Sequence, residues 1–200
     1  MDTSQTMREN IAKGLGSALS VCQAMQEDAL LHEQLAELAQ WCLDALREGR
    51  KIIFAGNGGS FADSQHLAAE FVSRLEFDRA PLAAIALSTN SSCMSAIGND
   101  YAYDQVFSRE LSGLTRAKDV AIPITTSGSS SNIRAAVAVA KELGVRTVGS
   151  TGEGGGRLGT VCACLRVPSG RTERIQEGYI LLGHILCALV ETGYFKGGAS

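Results

Sequence analysis

Residues 51–70 read KIIFAGNGGSFADSQHLAAE, and the reading of this stretch decides the fold. Lys51–Ala55 is a short apolar run, Gly56-Asn57-Gly58-Gly59-Ser60 is a tight turn, and the segment after it is helical in type. The same alternation recurs downstream. Apolar runs stand at Leu82–Leu87, Val120–Ile124, Val145–Gly149 and Val161–Val167. Longer helical segments separate them, such as Ile133–Leu143, which Gly144 closes as the residue just past the helix end. Arg174–Tyr194 is one long helix. Buried strands alternating with helices predict an α/β fold built on a parallel sheet.

Upstream of the first strand, residues 1–48 follow helical spacing through Ile11, Leu15, Leu19, Cys22 and Met25, and again through Leu31, Leu35, Leu38, Trp41, Cys42 and Ala45. These two amphipathic helices form a hairpin whose apolar faces pack either on another subunit or on the same chain. With no linker and no internal repeat, the 200 residues make a single domain: residues 1–48 as the N-terminal helical hairpin and 49–200 as the α/β core with its C-terminal helix.

The composition narrows the function. Lys and Arg number 18 against 21 Asp and Glu, a net charge of −3, which is no footprint for nucleic acid or an anionic membrane. No apolar run reaches the length of a membrane span, and Met1–Asn10 is too polar for a signal peptide. The six cysteines lie mostly in apolar stretches without metal-knuckle spacing, so they read as buried, reduced thiols in a cytoplasmic protein. Cys162 and Cys164 share one strand face as buried residues. Glycine, at 22 residues, exceeds the usual ~7% while proline is only 3, which points to tight backbone turns.

In open parallel sheets, ligands bind beyond the carboxyl ends of the strands. Three loops there are rich in glycine and hydroxyls: 56–60, Thr125–Asn132 and Ser150–Gly156. The second combines six hydroxyls with a helix N-terminus, whose N–H groups and dipole favour an anion. It lacks the triphosphate motif GxxxxGK[ST], and GNGGS is not the dinucleotide motif GxGxxG. A monophosphate fits better, with simple helix capping as the alternative.

His66 and Glu70 lie four apart and so on one helix face. Such a pair is either a surface hydrogen bond or, on a largely buried helix as Leu67, Phe71 and Leu75 suggest, a pair in need of partners or a metal. The last helix offers His184 with Gln176 eight residues before it and Glu177 seven before it; angular register favours Glu177. A satisfied core histidine is the alternative for His184. His32 reads as a solvated helix position.

Four segments, AGNGGSFADSQHLAAEFVSR (55–74), AIGNDYAYDQVFSR (96–109), TTSGSSSNI (125–133) and RIQEGYILLGHIL (174–186), closely resemble bacterial phosphoheptose isomerases of the sugar-isomerase (SIS) domain family. The resemblance spans nearly the whole chain. It implies a doubly wound five-stranded parallel sheet flanked by helices, assembled as a homotetramer with sites at subunit interfaces. It implies conversion of sedoheptulose 7-phosphate to D-glycero-D-manno-heptose 7-phosphate, the first step toward nucleotide-activated heptose for surface polysaccharide. It also implies zinc, held by His66, Glu70, Gln176 and His184, and thus selects Gln176 over Glu177. Substrate contacts carry over onto Asn57, Gly58, Gly59, Ser60, Glu70, Asn99, Asp100, Thr125, Thr126, Ser127, Ser130 and Gln176, with Glu70 and His184 expected to be catalytic.

Departures from the family pattern are Thr125 for serine, Pro123 for glycine, Tyr179 for histidine and Asn90 for aspartate. They bring the approach to the phosphate loop and one local turn into question. Two other functions fit the same family: a phosphosugar-binding module that associates with the replication initiator, in which the acid at 70 and imidazole at 184 are missing, and an isomerase of another phosphosugar.

Overall fold

The computed structural model describes residues 3–196. The strands are β1 (Ile52–Gly56), β2 (Ala84–Ala86), β3 (Val120–Ile124), β4 (Arg146–Gly152) and β5 (Ala163–Val167). The helices are α1 (Thr3–Glu27), α2 (Ala29–Arg47), α3 (Gly59–Val72), α4 (Ser91–Asp100), α5 (Val106–Leu114), α6 (Ser131–Glu142) and α7 (Thr172–Phe195). The strands form one sheet in the order β2-β1-β3-β4-β5, and every pairing is parallel.

Both faces of this sheet are covered, which is why its strands carry unbroken apolar runs. Ile52, Phe54, Val120, Ile122 and Ile124 pack with Leu35, Leu38, Phe71, Leu182 and Leu186 from α2, α3 and α7. Ile53, Ala55 and Ala121 point the other way, toward Ile97, Phe107, Leu111, Ile133 and Val137 from α4, α5 and α6. The period-2 alternation of side chains along each strand sorts one apolar run into two cores. The strand order reverses between β1 and β3, so the loops after Gly56 and Ile124, which are register partners, open side by side.

Several sequence-based boundaries shift. The edge strand β2 keeps three residues of Leu82–Leu87. β4 begins at Arg146 because the Val145 N–H bonds back to the Ala140 carbonyl at 2.9 Å, closing α6. Pro123 sits in a central strand and lacks an N–H. The β3–β4 register is interrupted at Ile122–Pro123 and resumes at Ile124 with Ser150, while the β1 side stays continuous. The Thr125 N–H then bonds to the Ser150 carbonyl at 2.9 Å, so the phosphate-loop backbone starts in register. Asn90 caps α4, its Oδ1 accepting from the N–H groups of Ser92 and Cys93 at 3.1 Å each.

The two N-terminal helices meet different fates. α2 buries Leu31, Leu35, Leu38, Cys42 and Ala45 in the chain's own core. α1 buries only Met25 and leaves Met7, Ile11, Leu15 and Leu19 at 59–68% exposure. Accordingly Cys22 on α1 is exposed, and Cys93 and Cys162 are half-buried; of the six unpaired thiols only Cys42, Cys164 and Cys187 are buried. His32 is exposed, and its Nε2 lies 3.0 Å from the Met25 carbonyl near the end of α1. α7 is long and apolar enough to cross a membrane by length and composition, yet it packs with α2 and α3 as a core helix.

Candidate active site

The turn after β1 is built on glycine. Gly58 has φ +56° with ψ −120°, a conformation side chains avoid, and it swings the chain from strand to helix within two residues. At Gly59 the first turn of α3 meets α7: a Cβ there would lie 2.5 Å from Gln176 Nε2. The two helices run in the same direction, so α7 side chains face successive turns of α3.

Midway along that seam three donors converge. His66 Nε2 lies 2.8 Å from His184 Nε2 and 3.6 Å from Glu70 Oε1, and one ligand atom from each residue falls within 4.8 Å of the others. The rings meet edge to face with centroids 5.0 Å apart. α3 is less buried here than its apolar neighbours suggest: the His66 side chain is 49% exposed and Glu70 21%. Leu67, Ala68 and Phe71 take the inner face, leaving His66 and Glu70 on the flank beside α7.

Two imidazole nitrogens and a carboxylate oxygen form a donor set suited to zinc, whose ligands at ~2.0–2.1 Å stand roughly 3.3 Å from one another. Glu177, favoured by angular register, is exposed and bonds to Arg174 at 2.7 Å. Gln176 is half-buried against Gly59 instead.

The second loop stands beside the first. Thr125 Oγ1 and Ser130 Oγ are 3.1 Å apart, and the Ser129 N–H donates to Ser127 Oγ at 3.2 Å. Ser127, Ser129 and Ser131 are exposed at the N-terminus of α6, whose N-cap residue Ser130 makes no side-chain capping bond. Hydroxyls gathered at a helix N-terminus, where backbone N–H groups and the helix dipole point outward, suit an anion. The third loop lies behind them as support: the Gly152 N–H bonds to the Thr126 carbonyl at 3.1 Å, and the Leu158 N–H to that of Gly128 at 2.8 Å. Asn57 and Asn132 exchange amide hydrogen bonds of 2.9 Å in both directions and tie the first two loops together. Of the other candidates, Gly58 is exposed, Ser60 is buried with its hydroxyl on Tyr179, and Thr126 is half-buried. Asn99 and Asp100 lie exposed at the end of α4, bonded to one another at 2.8 Å.

A family profile described as SIS domain matches residues 15–152. The phosphoheptose isomerase of Aneurinibacillus thermoaerophilus is 45% identical over 191 residues, covering 95% of this chain and 96% of that protein. The phosphoheptose isomerase of Burkholderia pseudomallei is 46% identical over 186 residues, covering 92% and 94%. The chain belongs to the phosphoheptose isomerases of the SIS domain family. The solved structure of the phosphoheptose isomerase from Neisseria gonorrhoeae superposes on it with a TM-score of 0.86 at 38% identity, covering 93% of this chain and 99% of that one.

Around this isomerase site stand residues that sequence reasoning passed over. The Tyr103 hydroxyl donates to Asn57 Oδ1 at 3.2 Å, and Ser131 Oγ to Asp104 Oδ1 at 2.5 Å, so the segment after α4 braces both loops. Tyr179, whose hydroxyl meets Ser60 Oγ at 2.5 Å, and Asp63 on the same turn of α3 as Ser60 are two more. Burial raises the Asp63 carboxyl above the usual range against the opposing pull of His66, and burial likewise raises the Tyr179 phenol. The available signal was spacing: Asp63 falls three residues after Ser60, and Tyr179 three after Gln176.

Proposed function

We infer that the chain isomerises sedoheptulose 7-phosphate to D-glycero-D-manno-heptose 7-phosphate, the first step toward nucleotide-activated heptose for surface polysaccharide. The observation that carries this reading is the convergence of His66, Glu70 and His184 on a seam between two rigid helices. A ketose–aldose isomerisation moves one proton between adjacent carbons and another between their oxygens. Glu70 takes the proton from C1 and returns it to C2. His184 gives a proton to the oxygen on C2 and takes one from the oxygen on C1, so the enediolate between them is neutralised without net change in protons. The hydroxyls of Thr125, Thr126, Ser127 and Ser130, with the N-terminus of α6, anchor the phosphate, and that remote binding positions the reacting carbons. Asn57, Gly58, Gly59, Asn99 and Asp100 are assigned to the sugar chain.

His66, Glu70, Gln176 and His184 are the residues that would hold zinc. When bound, zinc supplies Lewis-acid polarisation of the substrate carbonyl.

The same reading makes the enzyme a homotetramer. Met7, Ile11, Leu15 and Leu19 form an apolar stripe that the described residues of this chain leave uncovered. Beside it, an apolar cavity of about 380 Å³ opens among Cys22, Met25, His32, Leu181, Ile185 and Leu189. A second copy is the occupant proposed for this face. Six unpaired cysteines support a cytoplasmic location.

Incubation of purified protein with sedoheptulose 7-phosphate, with and without a chelator, tests the reading. Aldose 7-phosphate should form, and chelation should suppress it. Its absence in both arms would overturn the assignment, and full turnover in excess chelator would remove the metal from it.

A further inference from the structure

Asn57 and Asn132 meet across the switch point as a reciprocal amide pair, each Nδ2 donating to the other's Oδ1 at 2.9 Å. Such a pair closes equally well with both amides turned over, so its direction is set from outside. The Ile133 N–H sets it, lying 2.9 Å from Asn132 Oδ1 in the first turn of α6. A backbone N–H can only donate, so the atom it meets is the oxygen, and Asn132 turns its Nδ2 to Asn57. Asn57 must then place Oδ1 against that nitrogen and Nδ2 against Asn132 Oδ1. Asn132 is 3% exposed, which keeps water from making up for a mismatched amide. From the other side the Tyr103 hydroxyl donates to Asn57 Oδ1 at 3.2 Å.

What remains to Asn57 is one group. An amide oxygen accepts twice and an amide nitrogen donates twice. Asn132 and Tyr103 fill both places on the oxygen, and Asn132 takes one hydrogen of the nitrogen. The second N–H of half-buried Asn57 meets no acceptor among the described residues. We propose that Asn132 is a positioning residue that fixes the Asn57 amide so that it offers substrate a single N–H and no carbonyl, with Tyr103 occupying the second lone pair. The matching ligand atom is an accepting oxygen, a hydroxyl or carbonyl of the sugar chain. An amide free to turn would show that oxygen its own carbonyl as readily as its N–H. The inference rests on the assignment of Asn57 to the sugar chain, and it concerns how substrate is read rather than how protons move.

The test is steady-state kinetics with sedoheptulose 7-phosphate, alongside inhibition by inorganic phosphate, which reads the anion loop alone. Asn57→Ala removes the N–H, and its KM should rise roughly 2–12-fold, the range for one neutral hydrogen bond. Asn132→Ala should raise KM within the same range. Its kcat and its phosphate inhibition constant should each stay within about twofold of wild type, because the lost contact is uniform binding of the sugar chain. Adding Asn132→Ala to Asn57→Ala should raise KM no further, since Asn132 acts only through Asn57. Should Asn132→Ala fail to fold, Asn132→Ser makes the same test while keeping an oxygen for the first turn of α6. A KM within about twofold of wild type for Asn132→Ala, or for Asn132→Ser in its place, overturns the proposal. Additive losses in the double variant overturn it equally. A phosphate inhibition constant that rises in step with KM does so too, because Asn132 would then be shaping the anion loop. If Asn57→Ala itself leaves KM unchanged, the assignment of Asn57 to the sugar chain falls and this inference with it.

Discussion

The heaviest single dependence of the fold lies on Glu191, far along α7. Its side chain is 1% exposed, and the Arg79 side chain that faces it is 3% exposed. The carboxylate accepts from Arg79 Nε at 2.7 Å and from the N–H groups of Leu75 and Glu76 at 3.0 and 2.8 Å. Arg79 spends its remaining donors on the carbonyls of Phe71, Ser73, Ala80 and Glu70 at 2.7–3.1 Å. Glu191→Ala therefore strands a buried guanidinium without a counterion and orphans two backbone N–H groups. Breaking a buried pair from one side costs about 3–5 kcal/mol. In a domain of this length that is a fall in melting temperature of roughly 6–20 °C. Calorimetry at fixed protein concentration reads it directly. A melting temperature within about 2 °C of wild type would refute the reasoning.

The same group predicts a pH signature. Burial raises the Glu191 carboxyl, but the N–H groups of Leu75 and Glu76 and the Arg79 guanidinium outweigh it, and the net shift is downward. A carboxyl depressed in the folded state stabilises fully above its unfolded value of ~4.3, and that stabilisation drains away as the pH falls through the folded value. Glu191→Gln lacks the term at every pH. The stability gap between wild type and Glu191→Gln should be widest near neutrality and close as the pH falls toward 3. A gap that holds constant or widens on acidification contradicts the assignment.

The other predictions concern chemistry, assembly and thiols. Glu70→Gln and His184→Gln should each lower turnover on sedoheptulose 7-phosphate by about 10²–10⁴-fold, with the Michaelis constant changing far less; near-wild-type turnover in steady-state assays would sink the proton-transfer roles. Ile11→Glu combined with Leu15→Glu should shift sedimentation velocity toward smaller species, whereas an unchanged sedimentation coefficient would mean the α1 stripe is not a subunit contact. Alkylation followed by mass spectrometry should find Cys42 and Cys187 among the slowest thiols to react, because burial pushes both up, Cys187 to about 12; early labelling of either would contradict their burial.

The fold was legible because its signals are local and repeated. Apolar runs at 51–55 and 120–124 become β1 and β3 within a residue, since each is a buried strand between helices with no other reading open to it. What pattern alone could not supply is pairing geometry. The edge strand β2 has one neighbour and keeps three paired residues, and Pro123 costs the central ladder two direct pairs that hydropathy does not register. The site divides in the same way. The i, i+4 pair His66 and Glu70 is visible in any sequence, but its meeting with His184 depends on how two helices 118 residues apart lie against each other. Angular register within α7 pointed to Glu177, because it measured the helix against itself. In the structure α3 sets the inner face: Gly59 opens room for Gln176, while Glu177 turns outward to Arg174.

That seam also explains why the proposed chemistry sits on helices rather than loops. α3 and α7 are fastened at both ends, near the start by Ser60 with Tyr179 and past the end of α3 by Glu191 with Leu75, Glu76 and Arg79. His66, Glu70 and His184 lie between the two fastenings, and the Glu70 carbonyl itself is held by Arg79 at 2.8 Å. A constellation of donors keeps its spacing only as well as the elements carrying it keep theirs. The anion loop is held separately, by the Asn57–Asn132 pair across the switch point and by the glycine loop behind it. The first turn of α3 belongs to both halves: Asn57 enters it and Ser60 leaves it. The two halves of the proposed site are therefore held by side chains only three residues apart, Asn57 reaching the anion loop and Ser60 reaching α7.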